Sequence, residues 1–305
     1  MKKLGSILLI VLLSMSLVLT ACNGGTTNDG EQDQQDQQQQ TDDGEKGTVK
    51  LGIGNWAEGI AMTNLVKAIL EDEMGYSVKV TTAEPGLIYT SLANGDYDAF
   101  VDSWLPLTHE SYMEQFGEDV VDLGVNYEGA KIGLVVPEYV DVNSIEELNA
   151  NKDKFDGRIV GIGSGAGIMK ATEKAVKDYE LDYDLMESSG PVMTAELASA
   201  IDSEEPIIVT GWKPHWKFAR YDLKFLEDSK GIYGESENIK TIARKGIKED
   251  MPEVSTFLEN FKMNDQQLGS LMGMIADSDK EPVEVAREWM KENKDLVKSW
   301  LPESK

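Results

Sequence analysis

The sequence has 305 residues, of which 55 are Asp or Glu and 29 are Lys or Arg, giving a formal net charge of −26 at pH 7. So large an excess of acid repels nucleic-acid phosphates and disfavours adhesion to an anionic membrane surface, which leaves solubility as its simplest role. With one cysteine and two histidines, the chain cannot form an internal disulfide, assemble a multi-histidine metal site or readily support a Cys/His nucleophile.

At the N-terminus, Lys2 and Lys3 precede an apolar run over residues 8–19, and Leu19-Thr20-Ala21-Cys22 follows with small residues ahead of the cysteine. This pattern reads as a secretory signal over residues 1–21 with a bacterial lipobox, Cys22 being the lipid attachment site. The apolar run is shorter than the ~20 residues a spanning helix needs. The expected location is therefore the extracytoplasmic face of the cell membrane, held by a lipid anchor. Residues 23–47 contain no large apolar side chain, so they cannot bury enough surface to offset chain entropy. Residues 22–47 are expected to be a lipidated cysteine and a disordered tether, with a reach of roughly 25 to 30 Å.

Beyond the tether, Val49, Leu51 and Ile53 alternate as a first strand over residues 48–54, and a helical pattern covers 61–74. Residues 77–81 form the next strand, 89–93 a short helix ended by Asn94-Gly95, and 99–101 a strand leading into Trp104. This alternation predicts an α/β fold with a mostly parallel sheet and flanking helices. Two further apolar strands, 131–136 and 238–243, bracket a second set of elements and read as crossovers between two lobes. Lobe one then comprises residues 48–135 and 240–305, and lobe two residues 136–239. Within lobe two, a strand at 158–162 runs into Gly163-Ser164-Gly165-Ala166-Gly167 and a helix over 168–179, and a strand at 206–210 delivers Trp212. The C-terminal part is helical over 252–261, 265–274 and 283–300. Trp289 and Trp300 fall on the last amphipathic stripe and are assigned to packing.

Three tryptophans stand apart from that stripe. Trp56, Trp104 and Trp212 each lie at the end of a predicted strand, where ligand sites of open α/β sheets form. Burial in the core is the common fate of such rings; their shared position points instead to an aromatic cage, which suits a cation without hydrogen-bond donors. The glycines at 163–167 lack the ending of a nucleotide-binding loop and read either as a plain tight turn or as an anion site at a helix N-terminus. Asp98 and Asp102 form a carboxylate pair of the kind a secreted hydrolase uses, a signal diluted by the acidity of the chain; Asp102 alone is also placed to add negative potential or to cap the strand. His215, between Pro214 and Trp216, reads as a packing or hydrogen-bonding residue.

Taken together, Gly-Asn-Trp at 54–56, Asp-Ser-Trp-Leu-Pro-Leu-Thr-His at 102–109, Gly-Ser-Gly-Ala-Gly-Ile-Met at 163–169 and Gly-Trp-Lys-Pro-His-Trp at 211–216 resemble the glycine betaine substrate-binding proteins of ABC transporters, over residues 48–302. The resemblance implies a two-lobed, type II periplasmic-binding-protein-like fold with two crossover strands as hinge. It also implies a receptor without cofactor or catalysis that takes up an osmoprotectant and delivers it to an ABC permease. Trp56, Trp104 and Trp212 match the family's aromatic walls around the trimethylammonium group. His109 and the backbone N–H groups of Gly167 and Ile168 match its carboxylate donors, with Ala166 competing with Ile168 for the register. The same fold with choline or carnitine as ligand is the nearest rival; a polymer-binding adhesin is another. A His109 imidazole of ordinary pKa, about 6.5, is expected to donate when neutral and to help a carboxylate more when charged.

Overall fold

The computed structural model describes residues 46–303, so the expected signal peptide, Cys22 and the tether lie outside the described residues, apart from the tether's last two positions. In chain order the elements are β1 (Thr48–Ile53), α1 (Ala57–Asp72), β2 (Ser77–Thr82), α2 (Pro85–Ala93), β3 (Ala99–Leu105), α3 (Glu110–Phe116) and β4 (Val120–Pro137). Two 3₁₀ turns (Ile145–Glu147 and Asn149–Phe155) lead to β5 (Arg158–Val160), α4 (Gly167–Asp178), β6 (Asp184–Met186), α5 (Gly190–Asp202), β7 (Val209–Lys213), α6 (Lys217–Arg220) and β8 (Leu223–Phe225). The chain closes with β9 (Glu237–Arg244), α7 (Ile247–Asp250), α8 (Pro252–Asn260), α9 (Asp265–Ala276), α10 (Pro282–Glu292) and α11 (Lys294–Trp300).

The strands follow the order β2-β1-β3-β9-β4-β7-β5-β6, with β8 also on β4. The outer pairs, β1 with β2 and β3 and β5 with β6 and β7, are parallel; the pairs around β4 and β9 are antiparallel. The two halves of this mixed sheet meet on β4. Its first part pairs with β9 from Val120↔Arg244 to Ala130↔Glu237, and its second part pairs with β7 from Lys131↔Lys213 to Val135↔Val209. The partner changes between Ala130 and Lys131.

Only the second part of β4 is legible as a strand. In the first part the register against β9 shifts three times, between Asp122 and Gly124, Val125 and Tyr127, and Glu128 and Ala130. Gly124 and Gly129 have positive φ there, so bulges break the two-residue alternation that marks a strand in sequence. The three-residue β6 and β8 are too short to show a period. The expected helix over 283–300 is two helices, because Asn293 leaves helical geometry (φ −118°, ψ 33°) and its side-chain amide donates to the Trp289 carbonyl at 2.9 Å.

Helix α1 packs against α9 and α10 with Leu65, Ile69 and Leu70 fully buried. Trp289 and Trp300 are in the core, and Trp300 meets Phe261 edge to face at 4.9 Å. Replacing a buried indole with a methyl group removes its burial and leaves a cavity. Trp300→Ala is thus expected to destabilise the fold by about 3 to 5 kcal/mol in urea unfolding; a change within about 0.5 kcal/mol would remove Trp300 from the core.

Candidate functional site

Trp104 and Trp212 lie at the ends of their strands, as expected from sequence, each as the penultimate residue of β3 or β7. Strand β3 runs past the predicted 99–101 to Leu105, with Ser103, Trp104 and Leu105 paired to β9, whereas β7 keeps the predicted length but lies three residues later than 206–210, with Gly211 paired to Gly133. Trp56 is the N-cap residue of α1, and its carbonyl accepts from Ile60 N at 2.8 Å. The helix therefore starts four residues earlier than the periodicity indicates.

These three indoles line one cavity together with Glu58, Thr108, His109, Ile132, Ile162, Ala166, Gly167 and Ile168, bounding about 300 Å³ of empty space that is partly open to solvent. All six residues singled out as ligand contacts are among them. Trp56, Trp104, Thr108 and His109 come from the first half of the sheet, and Ile162, Gly167, Ile168 and Trp212 from the second. Polar contacts close the site across the halves: Tyr112 Oη donates to the Gly165 carbonyl at 2.8 Å, and Lys170 Nζ donates to Ser111 Oγ at 3.1 Å. At Gly167 an added Cβ would collide with the Thr108 carbonyl, so glycine is required there for the two loops to meet.

Two buried carboxylates fix the cage. The indole N–H of Trp104 donates to Asp102 Oδ1 at 3.0 Å, and that of Trp212 donates to Glu58 Oε2 at 2.6 Å. Neither carboxylate is more than 2% exposed. Burial raises Asp102 well above the usual carboxylate range, Glu58 adds to the rise by like charge, and the Trp104 N–H works against it. Burial also pushes Glu58 up to about 7, opposed by the Trp212 N–H and by the charge of Lys217. Lys217 Nζ lies 4.1 Å from the Trp212 ring centroid, fully buried and without a hydrogen-bond partner. Its pKa is pulled down to about 7 by the same desolvation, against the attraction of Glu58.

Glu58 is the residue the sequence reading did not single out. Its signal is faint: one glutamate two positions after a tryptophan, in a chain with 55 acidic residues. Asp102 lies inside β3, not at a strand cap, and its Oδ1 accepts the Trp104 indole N–H. Asp98 accepts from Lys50 N at 2.8 Å and from Arg244 Nε at 2.7 Å, and lies beside a separate surface depression. His215 packs edge to face on Trp212 at 5.0 Å and accepts from Lys217 N at 3.1 Å, the packing and hydrogen-bonding role expected of it.

His109 is buried among Trp56, Tyr89, Phe100 and Tyr112, with ring centroids 5.8–6.1 Å away. Its Nδ1 accepts the backbone N–H of Trp104 at 3.0 Å. That bond requires an unprotonated Nδ1, so the single ring proton sits on Nε2. Burial, assisted by the charge of Lys170, lowers the pKa to about 3, so the charged donor considered from sequence does not form near neutrality. On the other wall, Ala166 N donates to the Gly163 carbonyl at 3.0 Å. Gly167 and Ile168 open α4, where N–H groups have no partner within the helix. Chemically, the cavity offers three indole walls and a buried carboxylate, together with an imidazole N–H and helix N-terminal N–H donors. Among the described residues, no group of three or more His, Cys, Asp or Glu is placed to hold a metal ion.

Residues 47–292 match the substrate binding domain of ABC-type glycine betaine transport systems. The glycine betaine/carnitine transport binding protein GbuC of Listeria monocytogenes is 48% identical over 163 residues, covering 52% of this chain. The match spans 54% of that curated relative, about half its length. The lactococcal OpuAC crystal structure, closed and complexed with glycine betaine, superposes with a TM-score of 0.78 at 40% identity, covering 84% of this chain and 99% of its own. An ABC-transporter choline binding protein in complex with choline also gives 0.78, at 28% identity, covering 83% of this chain and 91% of its own.

The His109 assignment has a direct spectroscopic test. Between pH 5 and 8 its imidazole is expected to show one neutral form with the proton on Nε2 in ¹H–¹⁵N spectra, because its pKa lies near 3. A titration midpoint near the ordinary value of about 6.5 would contradict the buried, Trp104-bonded geometry.

Proposed function

The chain belongs to the family of substrate binding domains of ABC-type glycine betaine transport systems, and from that premise we propose that it is an extracytoplasmic receptor that captures glycine betaine and delivers it to an ABC permease for osmoprotectant uptake. The family is one of binding domains, not of enzymes. The single observation that carries the ligand reading is one cavity walled by Trp56, Trp104 and Trp212 and also lined by His109, Gly167 and Ile168. A betaine has a permanent cation that donates no hydrogen bond and a carboxylate a few ångströms away. Its best site pairs π faces for one end with N–H donors for the other.

In this reading the trimethylammonium group lies among Trp56, Trp104 and Trp212, with Glu58 adding negative potential. His109 Nε2–H and the N–H groups of Gly167 and Ile168 take the carboxylate. The Ala166 N–H is already engaged by Gly163, which favours Gly167 and Ile168 over Ala166 as the donors. Each cation–π face contributes about 0.5 to 2 kcal/mol and each charge-assisted hydrogen bond about 1.5 to 3. Three of each sum to about 6 to 15 kcal/mol, a range that spans the roughly 8 kcal/mol of micromolar binding and in its upper part leaves a surplus for ordering and closure. The lobes expected from the sequence, 48–135 with 240–305 and 136–239, would close on this cavity. The change of partner on β4 after Ala130 and the start of β9 at Glu237 support crossovers near those positions.

Choline is the second reading, favoured by the choline-bound relative of the same fold; carnitine is favoured by the name of the Listeria relative. Choline offers no carboxylate to the donors at His109, Gly167 and Ile168. In calorimetric titration, His109→Ala is expected to weaken glycine betaine by about 10- to 100-fold and choline far less, while Trp56→Ala weakens both. Tighter binding of choline than of glycine betaine by the unmutated protein would overturn the ligand assignment, and an equal loss of both ligands in His109→Ala would overturn the placement of the carboxylate.

We also place the protein on the membrane by a lipid on Cys22. No helix among the described residues is long and apolar enough to cross a membrane. Cys22→Ser is expected to abolish lipid labelling while the purified protein keeps its affinity for glycine betaine. Undiminished lipid labelling would rule out Cys22 as the anchor.

A further inference from the structure

Glu237 opens β9 at the point where the chain returns to the first half of the sheet. It pairs with Ala130 on β4, and its neighbour Asn238 pairs with Leu105 at the end of β3. Its carboxylate is buried, 3% exposed, yet it does not line the cavity. Oε2 accepts the backbone N–H groups of Leu107 and Thr108, each at 2.8 Å, and Oε1 accepts the Thr108 hydroxyl. All three donors lie in the two residues just before His109.

The loop they belong to is tied at both ends to Trp104. The His109 N–H donates to the Trp104 carbonyl at 2.9 Å, and the Trp104 N–H donates to His109 Nδ1. Its middle is otherwise held by a backbone bond from the Glu110 N–H to the Leu107 carbonyl at 3.1 Å; Leu107 is 44% exposed, and the Thr108 carbonyl packs against Gly167 of the opposite wall. A buried side chain that gathers three donors from one short loop restrains that loop at three points at once, and its removal leaves those donors without their acceptor.

We infer that Glu237 is a positioning residue for the carboxylate end of the ligand site. By clamping Leu107 and Thr108 to the first residue of β9, it holds His109 Nε2–H and the Thr108–Gly167 contact in the geometry that selects a ligand with a carboxylate. This inference rests on the glycine betaine reading and deepens it. The clamp joins the strand at which the chain re-enters the first half of the sheet to the loop that carries the donor, so the geometry of the donor depends on where that strand sits.

The test uses glycine betaine and tetramethylammonium, which share the cation and differ in the carboxylate, titrated against the unmutated protein, Glu237→Ala, Glu237→Gln and Thr108→Val. Glu237→Ala is expected to lose about 10- to 100-fold in affinity for glycine betaine and to keep tetramethylammonium within about twofold. Glu237→Gln is expected to restore glycine betaine to within about threefold, because its amide oxygen can accept both backbone N–H groups while its NH₂ donates to the Thr108 hydroxyl. Glu237→Ala binding glycine betaine as tightly as the unmutated protein would overturn the inference, as would an equal loss of both ligands in a variant with a cooperative melt. Should Glu237→Ala fail to fold, Thr108→Val decides: a several-fold loss confined to glycine betaine supports the clamp, and unchanged affinity refutes it. Failure of the unmutated protein to bind glycine betaine would instead refute the functional reading on which the inference stands.

Discussion

An indole ring that is to present its face to a cavity must still satisfy its N–H somewhere, and that requirement shapes this molecule. Trp104 meets it with Asp102, two residues away on the same strand. Trp212 meets it with Glu58, which belongs to α1 in the other half of the chain. A buried N–H left without a partner costs about 1 to 3 kcal/mol, so the Glu58 bond does two things at once. It fixes the plane of the Trp212 ring, and it fastens β7 to the first turn of α1 across the cavity.

The cost of this arrangement is visible in the titrating groups around it. Glu58 and Asp102 are both raised above the ordinary carboxylate range by desolvation, and the charge of Glu58 adds to the rise of Asp102. Lys217 is buried against the outer side of the same cluster with no hydrogen-bond partner and is pulled in the opposite direction by the same desolvation. Burial thus works against the charged form of carboxylate and amine alike, while their mutual attraction works to keep both charged. Strain of this kind is typical of sites where function, not stability, sets the residues. The C-terminal helices show the opposite: Trp289 and Trp300 fill space in the core, and Trp300 packs against another aromatic ring.

The sheet supplies the frame. Strand β4 pairs with β9 up to Ala130 and with β7 from Lys131, with β8 added on its last residues, so the walls of the cavity hang from one continuous strand. Ile132, two residues past the change of partner, pairs with Trp212 and lines the cavity itself. The glycine-bearing bulges in the first part of β4 let an 18-residue strand bend and twist where a regular one would run straight. Glu237 and Asn238 begin β9 beside that part of β4 and beside the end of β3, which puts the His109 loop within reach of the returning chain.

The features legible in the sequence are those carried by neighbouring residues. Trp104 and His109 are five apart and lie on one strand and the loop that follows it, so their association needed no fold to be read. Gly163 to Gly167 ahead of an amphipathic helix marks a helix N-terminus by local chemistry alone. The packing role of Trp289 and Trp300 follows from a 3.6-residue stripe. The tertiary structure decided the rest. The bonds Glu58 makes to Trp212 and Glu237 makes to Thr108 span 154 and 129 residues, and in a chain this acidic no local pattern separates these two carboxylates from the other 53. The protonation of His109 was also beyond local reading, because its ordinary pKa gives way to burial among four aromatic rings and to a bond that occupies Nδ1. Adjacency in sequence determines which residues share a strand or a turn; only the order in which strands pair determines which distant charge is buried beside which ring.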